Sequence, residues 1–477
     1  MNQAAVLTGY GRACPLILLA ALGVFFAADD QTSVVAVLPH MVTDIGLAQD
    51  DFYRAAWIVN GYILGYVVAM PLMGRIADSF GHGRVYALAL LVFCLGSAWV
   101  AVSTDLTLLS IARGVQAVGG GAVVPISMAI VMTSAPPGQR ALGLGAMAAA
   151  SEAGALVGPL WGGGIADLIG WRGVFWINLP MCLPIALALW RLSPASTPYR
   201  RPIDIPGALL LGVSLVSLTI ALTDDPISPR TTAGTLGLLA AAAVFFALFV
   251  LRQLKAPSPV VALSLFRRLP LSAAFVTNTL AGGALIVAMV NVPLFTNLVL
   301  GGSPLEGGLN LMRLTLALAT GALAGGYLTG RIGPAPIACA GLVLAGAGFL
   351  GMSRWPADPS FAELTLPLAV SGLGFGLIIA PINSAALSAT AEGERATVAS
   401  LLTVVRLLGA LVAVALLTSR GLSGFYAEAG LIPLDDPNYA ELLANLQVDS
   451  FSETFFVSAL ACFATLIPAA FLGRSRE

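Results

Sequence analysis

Charge is scarce in this sequence: only 10% of its 477 residues are Asp, Glu, Lys or Arg, where a soluble domain carries about 25%. With 58% hydrophobic residues, too little polar surface remains to cover a water-soluble globule of this size. Lysine is nearly absent. Lys255 stands alone and is followed by Ala256, so there is no Gly-rich loop ending in Lys-Ser or Lys-Thr to cradle a nucleotide's phosphates. The chain therefore cannot hydrolyse ATP alone. Two histidines, His40 and His82, give no metal cluster. The cysteines (Cys14, Cys94, Cys182, Cys339 and Cys462) fall in or beside apolar runs, where they read as small apolar fillers and not as a disulfide framework. No cofactor, metal or nucleic acid is expected. His40 and Asp44 stand four apart, not at acyltransferase spacing, and no other catalytic constellation is visible. An enzyme is not expected.

What is present is a succession of apolar runs, most of them long enough to cross a bilayer core of ~30 Å. Backbone groups in lipid must find partners within their own segment, so these runs are helices. Spans are expected at 15–39, 55–73, 85–103, 106–131, 141–164, 174–190, 207–222, 231–251, 271–300, 309–330, 336–352, 364–387, 398–419 and 451–472. An even count puts both termini on one side. If that side is the cytoplasm, the inner segments hold Arg12, Arg75, Arg84, Arg140, Arg191, Arg200, Arg201, Arg252, Lys255, Arg267, Arg268, Arg331, Arg395, Arg474 and Arg476. The outer loops hold only Arg54, Arg172, Arg230, Arg354 and Arg420, beside acids such as Asp50, Asp51, Asp224, Asp225, Asp435 and Asp436. Such a positive-inside bias places both termini in the cytoplasm of a bacterial inner membrane. The first apolar run resumes from Val34 to Leu38 after Asp30, so it reads as an uncleaved helix and not a signal peptide.

The chain repeats itself. Gly120, Pro125, Ile126 and Ala129 recur 256 residues later as Gly376, Pro381, Ile382 and Ala385. The next loop carries Gly138 and Arg140, matched 255 residues later by Gly393 and Arg395. In the helices that follow, Gly154 to Val157 return as Gly409 to Val412. Both copies keep the same membrane orientation, so the chain is a parallel repeat of two helix bundles. The expected division is an N-terminal six-helix bundle over 1–195, a linker with two extra helices over 196–265, and a C-terminal six-helix bundle over 266–477. The inserted pair at 207–251 carries no intramembrane charge, and it is expected to flank the core without lining a cavity.

Charges inside a membrane are costly and mark function by default. The candidates are Asp29, Asp30, Arg113, Glu152, Arg313 and Arg406. Asp30 lies eight residues, roughly 12 Å, below the outer end of helix 1, and Arg113 seven residues, roughly 10 Å, into helix 4. Matching depth makes them a candidate pair. Asp29 sits about 100° round the helix from Asp30. By the repeat, Glu152 falls opposite position 407, one residue from Arg406, so these two are expected to meet across a central cavity. Arg313, near the outer end of helix 10, is equally placed to snorkel. Gln116, Asn278, Asn291 and Asn383 are secondary candidates. So few polar groups favour a lipid or amphiphile over a sugar.

The loop after helix 2, with Gly74, Arg75, Asp78, Gly81 and Arg84, resembles the signature loop of the major facilitator superfamily. Arg113, Gln116 and Gly120 in helix 4 are similar to a second motif of that family, with Ala117 where a glycine is usual. Helix 5 carries Gly154, Gly158, Pro159, Gly162 and Gly163, and matches the antiporter signature of the 14-helix drug:proton branch. Trp171 to Pro180 resembles a further block of that branch. Within it, Trp57 to Tyr66, Ser151 to Gly154, and Arg406 are similar to the mycobacterial triacylglyceride exporters. The resemblance spans essentially the whole chain.

It implies an all-α membrane protein of two six-helix bundles plus two inserted helices. It also implies proton-coupled export of triacylglyceride-like lipids or amphiphilic drugs by alternating access, energised by the proton gradient. Asp78 would cap a helix and pair with an arginine. Ser79, His82 and Gly83 stand where basic residues are usual, which weakens that ion pair. Gly158 and Pro159 would control helix packing, with Gly23 as a tolerant control. A monomer is expected, in contact with membrane lipids, and a periplasmic lipid-carrying protein is a candidate partner. A facilitator of small polar solutes and a non-transporting membrane receptor or partner remain alternatives.

Overall fold

The computed structural model describes residues 3–46, 56–193, 204–222, 231–256, 259, 267–302, 304–413 and 439–473. The apolar runs form helices α1 (Gln3–Asp44), α2 (Ala56–Phe80), α3 (His82–Val102), α4 (Leu106–Ser134), α5 (Arg140–Ile169), α6 (Trp171–Leu192) and α7 (Ile205–Leu222). They continue as α8 (Thr232–Lys255), α9 (Leu269–Leu298), α10 (Pro304–Ile332), α11 (Pro334–Met352), α12 (Phe361–Ser388), α13 (Arg395–Ala413) and α14 (Tyr439–Ala464), closing with the single turn α15 (Leu466–Ala469). Among the described residues, 11 helices are long and apolar enough to cross a membrane. The chain is a multi-pass membrane protein.

Local chemistry sets the helix ends. Asp105 accepts from the amides of Thr107 and Leu108, each at 2.9 Å, and opens α4. Ser360 and Glu363 exchange side-chain bonds with each other's amides at the start of α12, the reciprocal cap that satisfies two orphan donors. Single left-handed glycines separate α2 from α3 (Gly81, φ 98°) and α10 from α11 (Gly333, φ 98°), a conformation only glycine adopts cheaply. Two helices begin far ahead of their expected spans. α1 covers Gln3–Asp44, and α14 starts at Tyr439 and not near 451. Strong helix formers such as Glu441, Leu442 and Ala444 extend α14 beyond its apolar stretch. The expected end of helix 13 beyond 413 lies outside the described residues. So do Asp50, Asp51, Arg54, Arg200, Arg201, Asp224, Asp225, Arg230, Arg420, Asp435, Asp436, Arg474 and Arg476.

The chain divides into two compact units, one of residues 1–143, 150–267 and 390–404, the other of 144–149, 268–389 and 405–477. In the first, α2 and α3 pack on α4, and α1 packs on α4 and α6. In the second, α10 and α11 pack on α12, and α14 packs on α11 and α9. The sequence repeat is thus a repeat of packing. Prolines 125 and 381 lie inside α4 and α12, and a 3-10 turn precedes each of α5 and α13 (Pro137–Gln139 and Glu392–Glu394). Gly154 rests on the Phe25 carbonyl of α1, and Gly409 on the Thr279 carbonyl of α9.

At one end of the first unit Val34, Val37, Met41, Ile58, Val100, Leu109, Trp171 and Phe175 form a buried apolar cluster. Beyond it Asp44 pairs with Arg172, whose hydrogen bond holds the carboxyl below its ordinary range. α7 and α8 form a hairpin. Asp204 closes it by accepting from Arg252 Nε at 2.8 Å, Gln253 Nε2 at 3.1 Å and the Gly207 amide at 3.2 Å. The outer face of α8 exposes Leu236, Phe246, Leu248 and Leu254, an apolar surface suited to lipid.

Candidate functional site

Asp30 is the centre of a buried polar cluster drawn from four helices. Its Oδ2 accepts from Arg113 Nη1 at 2.7 Å. Its Oδ1 accepts from Gln116 Nε2 at 2.8 Å and from Asn178 Nδ2 at 2.8 Å. Arg113 and Gln116 stand three apart on α4 and so share a face; a 2.6 Å bond from Arg113 Nη1 to Gln116 Oε1 joins them. Asn178 also donates to Ser97 Oγ on α3 at 3.0 Å, and Ser97 in turn donates to the Phe175 carbonyl at 2.9 Å. The Arg113 guanidinium lies 4.2 Å from the centre of the Tyr62 ring on α2. Arg113 and Asp30 are each 1% exposed. A buried ion pair is best tolerated when its remaining donors and acceptors are met; the carboxylate's are, while Arg113 Nε has no partner among the described residues.

Asp29, one residue earlier, is equally buried but differently served. Its Oδ1 has no hydrogen-bond partner among the described residues. Its backbone faces α5, where the glycines of the antiporter signature lie flat on α1. A Cβ at Gly158 would come within 2.6 Å of the Asp29 carbonyl oxygen, and one at Gly162 within 2.7 Å of Ser33. Gly154 meets the Phe25 carbonyl and the Asp29 amide. Two members of the signature take no part. Gly163 has open space around it, and Pro159 is exposed. Gly23 corrects an expectation in the other direction. A side chain there would strike the hydroxyl of Tyr86, which is fixed by donation to the Ala20 carbonyl at 2.7 Å. Gly23 is not a tolerant position.

The last turns of α2 form a second constellation; the loop expected from Gly74 onward is helical as far as Phe80. Asp78 Oδ1 accepts from the Ala396 amide at 3.0 Å, and Oδ2 accepts from the Thr397 amide at 2.9 Å and its hydroxyl at 2.7 Å. The carboxylate therefore caps α13, where orphan amides and the helix dipole favour an anion. Gly74 makes room for this: a Cβ there would meet the Ala396 carbonyl at 2.7 Å and the Ser400 hydroxyl. His82 Nε2 lies 3.0 Å from Asp78 Oδ1, so the residue that departs from the signature still engages the acid. Arg75 is buried, Ser79 donates to the Arg75 carbonyl at 2.9 Å, and Arg84 is exposed.

The remaining candidates are dispersed. Asn291 donates to the Val287 carbonyl of its own helix at 2.9 Å. Asn383 is buried on α12 and Asn278 half-buried on α9. Arg313 donates to Thr365 Oγ1 at 2.7 Å and lies 4.5 Å from the Phe361 ring centre. Glu152 is half-buried in the first unit. Arg406 belongs to the second, where its side chain crosses Gly282 of α9. Sequence reasoning gave no role to Asn178, Ser97 or Tyr62. Asn178 was within reach of it: seven residues into α6, roughly 10 Å, it sits at the depth already assigned to Arg113.

The Major Facilitator Superfamily model matches residues 20–414. A triacylglyceride transporter of Mycobacteroides abscessus is 35% identical over 456 residues, covering 91% of this chain and 88% of the relative. A triacylglyceride transporter of Mycobacterium tuberculosis is 32% identical over 493 residues, covering 96% and 94%. Among solved structures, a human organic anion transporter superposes with a TM-score of 0.62 at 18% identity, covering 96% of this chain and 99% of that one. A proton:xylose symporter gives 0.61 at 14%, covering 96% and 95%. This chain belongs to the major facilitator superfamily. It is a membrane transporter and not an enzyme.

Proposed function

We propose that the protein is a proton-coupled exporter of triacylglyceride-like lipids or amphiphilic drugs. It has fourteen spans, the 11 evident ones plus α2, α7 and α13, and sits in the inner membrane with both termini cytoplasmic. The observation that carries the coupling is the pair of consecutive buried carboxylates on α1, one fully compensated, lying against the glycine stripe of α5. Helix separation at that stripe changes the water access of an acid, which is what proton exchange needs. Antiport follows if proton entry and substrate exit use opposite openings of two rocking bundles.

The lipid reading draws on the names of the relatives and on the small number of polar side chains within the spans. Asp30, Arg113, Glu152 and Arg406 form the charged set of the cycle. A Glu152–Arg406 pair is part of the proposal, and its support is the 255-residue repeat. Neighbouring lipids and protons are the expected partners, with a periplasmic lipid-carrying protein as acceptor; the working unit is a monomer.

The test is transport in proteoliposomes under an imposed pH gradient, with a fluorescent triacylglyceride and a cationic dye side by side. Gradient-dependent movement of either supports the reading. Movement of a small sugar instead would favour a facilitator, and movement of none a receptor role.

A further inference from the structure

Asp29 and Asp30 are neighbours in sequence, 2% and 1% exposed, yet they meet opposite surroundings. Asp30 accepts three hydrogen bonds, one of them from an arginine. Asp29 Oδ1 accepts none, and no cation is paired with Asp29 among the described residues. An ionised carboxylate buried without donor or cation is costly, and one added proton removes that cost. A carboxylate already fixed by an arginine and two amides gains nothing comparable from a proton.

The groups around Asp29 are few. On α1 its charged neighbour is Asp30. From α4 comes Arg113, whose Nη1 is committed to Asp30 and Gln116. α6 brings the Cys182 thiol within range of both acids, and α3 brings the Tyr86 hydroxyl, committed to the Ala20 carbonyl. α5 presents Gly154 and Gly158 to the Asp29 backbone; its ionisable residues are Arg140, Glu152 and Asp167, and Glu152 stands two residues from Gly154. Oδ1 thus has neither a donor nor a cation among the described residues, and the α1–α5 contact lies on the backbone of this acid.

We propose that Asp29, not Asp30, carries the transported proton, exchanging it with water when the Gly154–Gly158 contact on α1 opens, while Asp30 stays bonded to Arg113 as its anchor. One proton adds to an Asp29 carboxylate oxygen from water on one side and leaves to water on the other. No other bond is made or broken. The inference rests on the proton-coupled reading above and assigns its titrating atom.

The experiment compares wild type, Asp29→Asn and Asp29→Glu, all full-length, in proteoliposomes with and without a pH gradient. The probe is whichever of fluorescent triacylglyceride or ethidium the wild type moves. Asp29→Asn should retain gradient-free exchange and lose the gradient response entirely. Asp29→Glu should retain the response with a displaced pH profile, and this second variant decides the matter if the asparagine form does not fold. A gradient response in Asp29→Asn equal to wild type, or an unshifted profile in Asp29→Glu, overturns the assignment and leaves proton coupling standing. A wild type indifferent to the gradient removes the coupling itself and the assignment with it.

Discussion

Asp78 holds Thr397 by two bonds at once, accepting from its amide at 2.9 Å and its hydroxyl at 2.7 Å across 319 residues of chain. The same carboxylate takes the Ala396 amide, so the last turn of α2 supplies an N-terminal cap to α13. Loss of a cap of this kind costs about 0.5–2 kcal/mol. Asp78→Ala should lower the melting temperature of the purified protein, and Thr397→Val should lower it less, since that variant keeps its amide bond. Equal melting of all three forms would show that the cap contributes nothing. His82→Arg, which restores the usual basic residue beside Asp78, should raise the melting temperature or leave it unchanged.

The glycine stripe of α5 makes a graded prediction. Gly158 and Gly154 touch backbone atoms of α1, which cannot rotate away, whereas Gly163 faces open space. Overpacking a tight site costs typically about 1–3 kcal/mol and displaces backbone. Gly158→Leu should therefore abolish transport or uncouple it, while Gly163→Ala transports as wild type. Gly23→Ala should lie between, because it must displace the Tyr86 hydroxyl from the Ala20 carbonyl. Proteoliposome transport of the three variants in parallel checks the order, and a normal Gly158→Leu would reduce the stripe to passive packing.

Removing one partner of the buried pair should be far worse than removing an amide. Arg113→Ala strands the Asp30 charge and is expected to cost on the order of 3–5 kcal/mol. Asn178→Ala removes one of two donors to Oδ1 and leaves the ion pair intact, so its cost should be nearer that of a single hydrogen bond to a charged group, about 1.5–3 kcal/mol. The double variant Asp30→Asn with Arg113→Gln should recover much of the stability lost in Arg113→Ala and none of the transport. Thermal unfolding in detergent gives the stability order. Should Arg113→Ala melt with wild type, solvent meets the Asp30 charge and the pair contributes nothing to stability.

These contacts also show how far the chain could be read unaided. Depth counting along helices found the Asp30–Arg113 pair because both residues are charged and charge is rare in apolar runs. The same counting would have found Asn178, but an uncharged amide does not stand out in a helix that opens with tryptophan and arginine. The partner of Asp78 was beyond reach. Every helix offers orphan amides at its start, and only the fold says which start lies beside α2. Gly23 failed for the same reason, since its neighbour Tyr86 is on another helix. The repeat was legible because it lives in glycines and prolines whose backbone roles recur at fixed offsets: Gly154 and Gly409 each meet a carbonyl of the first helix of their own copy.

The repeat also sets two intramembrane charges at nearly one depth. Glu152 and position 407 are equivalent by the offset of 255, and equivalent positions in a parallel repeat stand at the same depth about the axis relating the two copies. If Glu152 and Arg406 approach in one state of the cycle, each shields the other's charge there, and export should fail in both Glu152→Gln and Arg406→Ala. The exchange of the two residues should restore part of the activity if charge pairing is what matters, because the attraction is unchanged by swapping its ends. A geometric check is independent of activity. With Cys14, Cys94, Cys182, Cys339 and Cys462 replaced, the double variant Glu152→Cys with Arg406→Cys should form a disulfide under oxidant in one conformation. It should not form when the opposite conformation is trapped, for example by a conformation-selective binder. Since a disulfide needs Cα atoms within about 7 Å, failure to cross-link in any trapped state would separate the two residues for good and leave Arg406 with the role its packing on Gly282 already gives it.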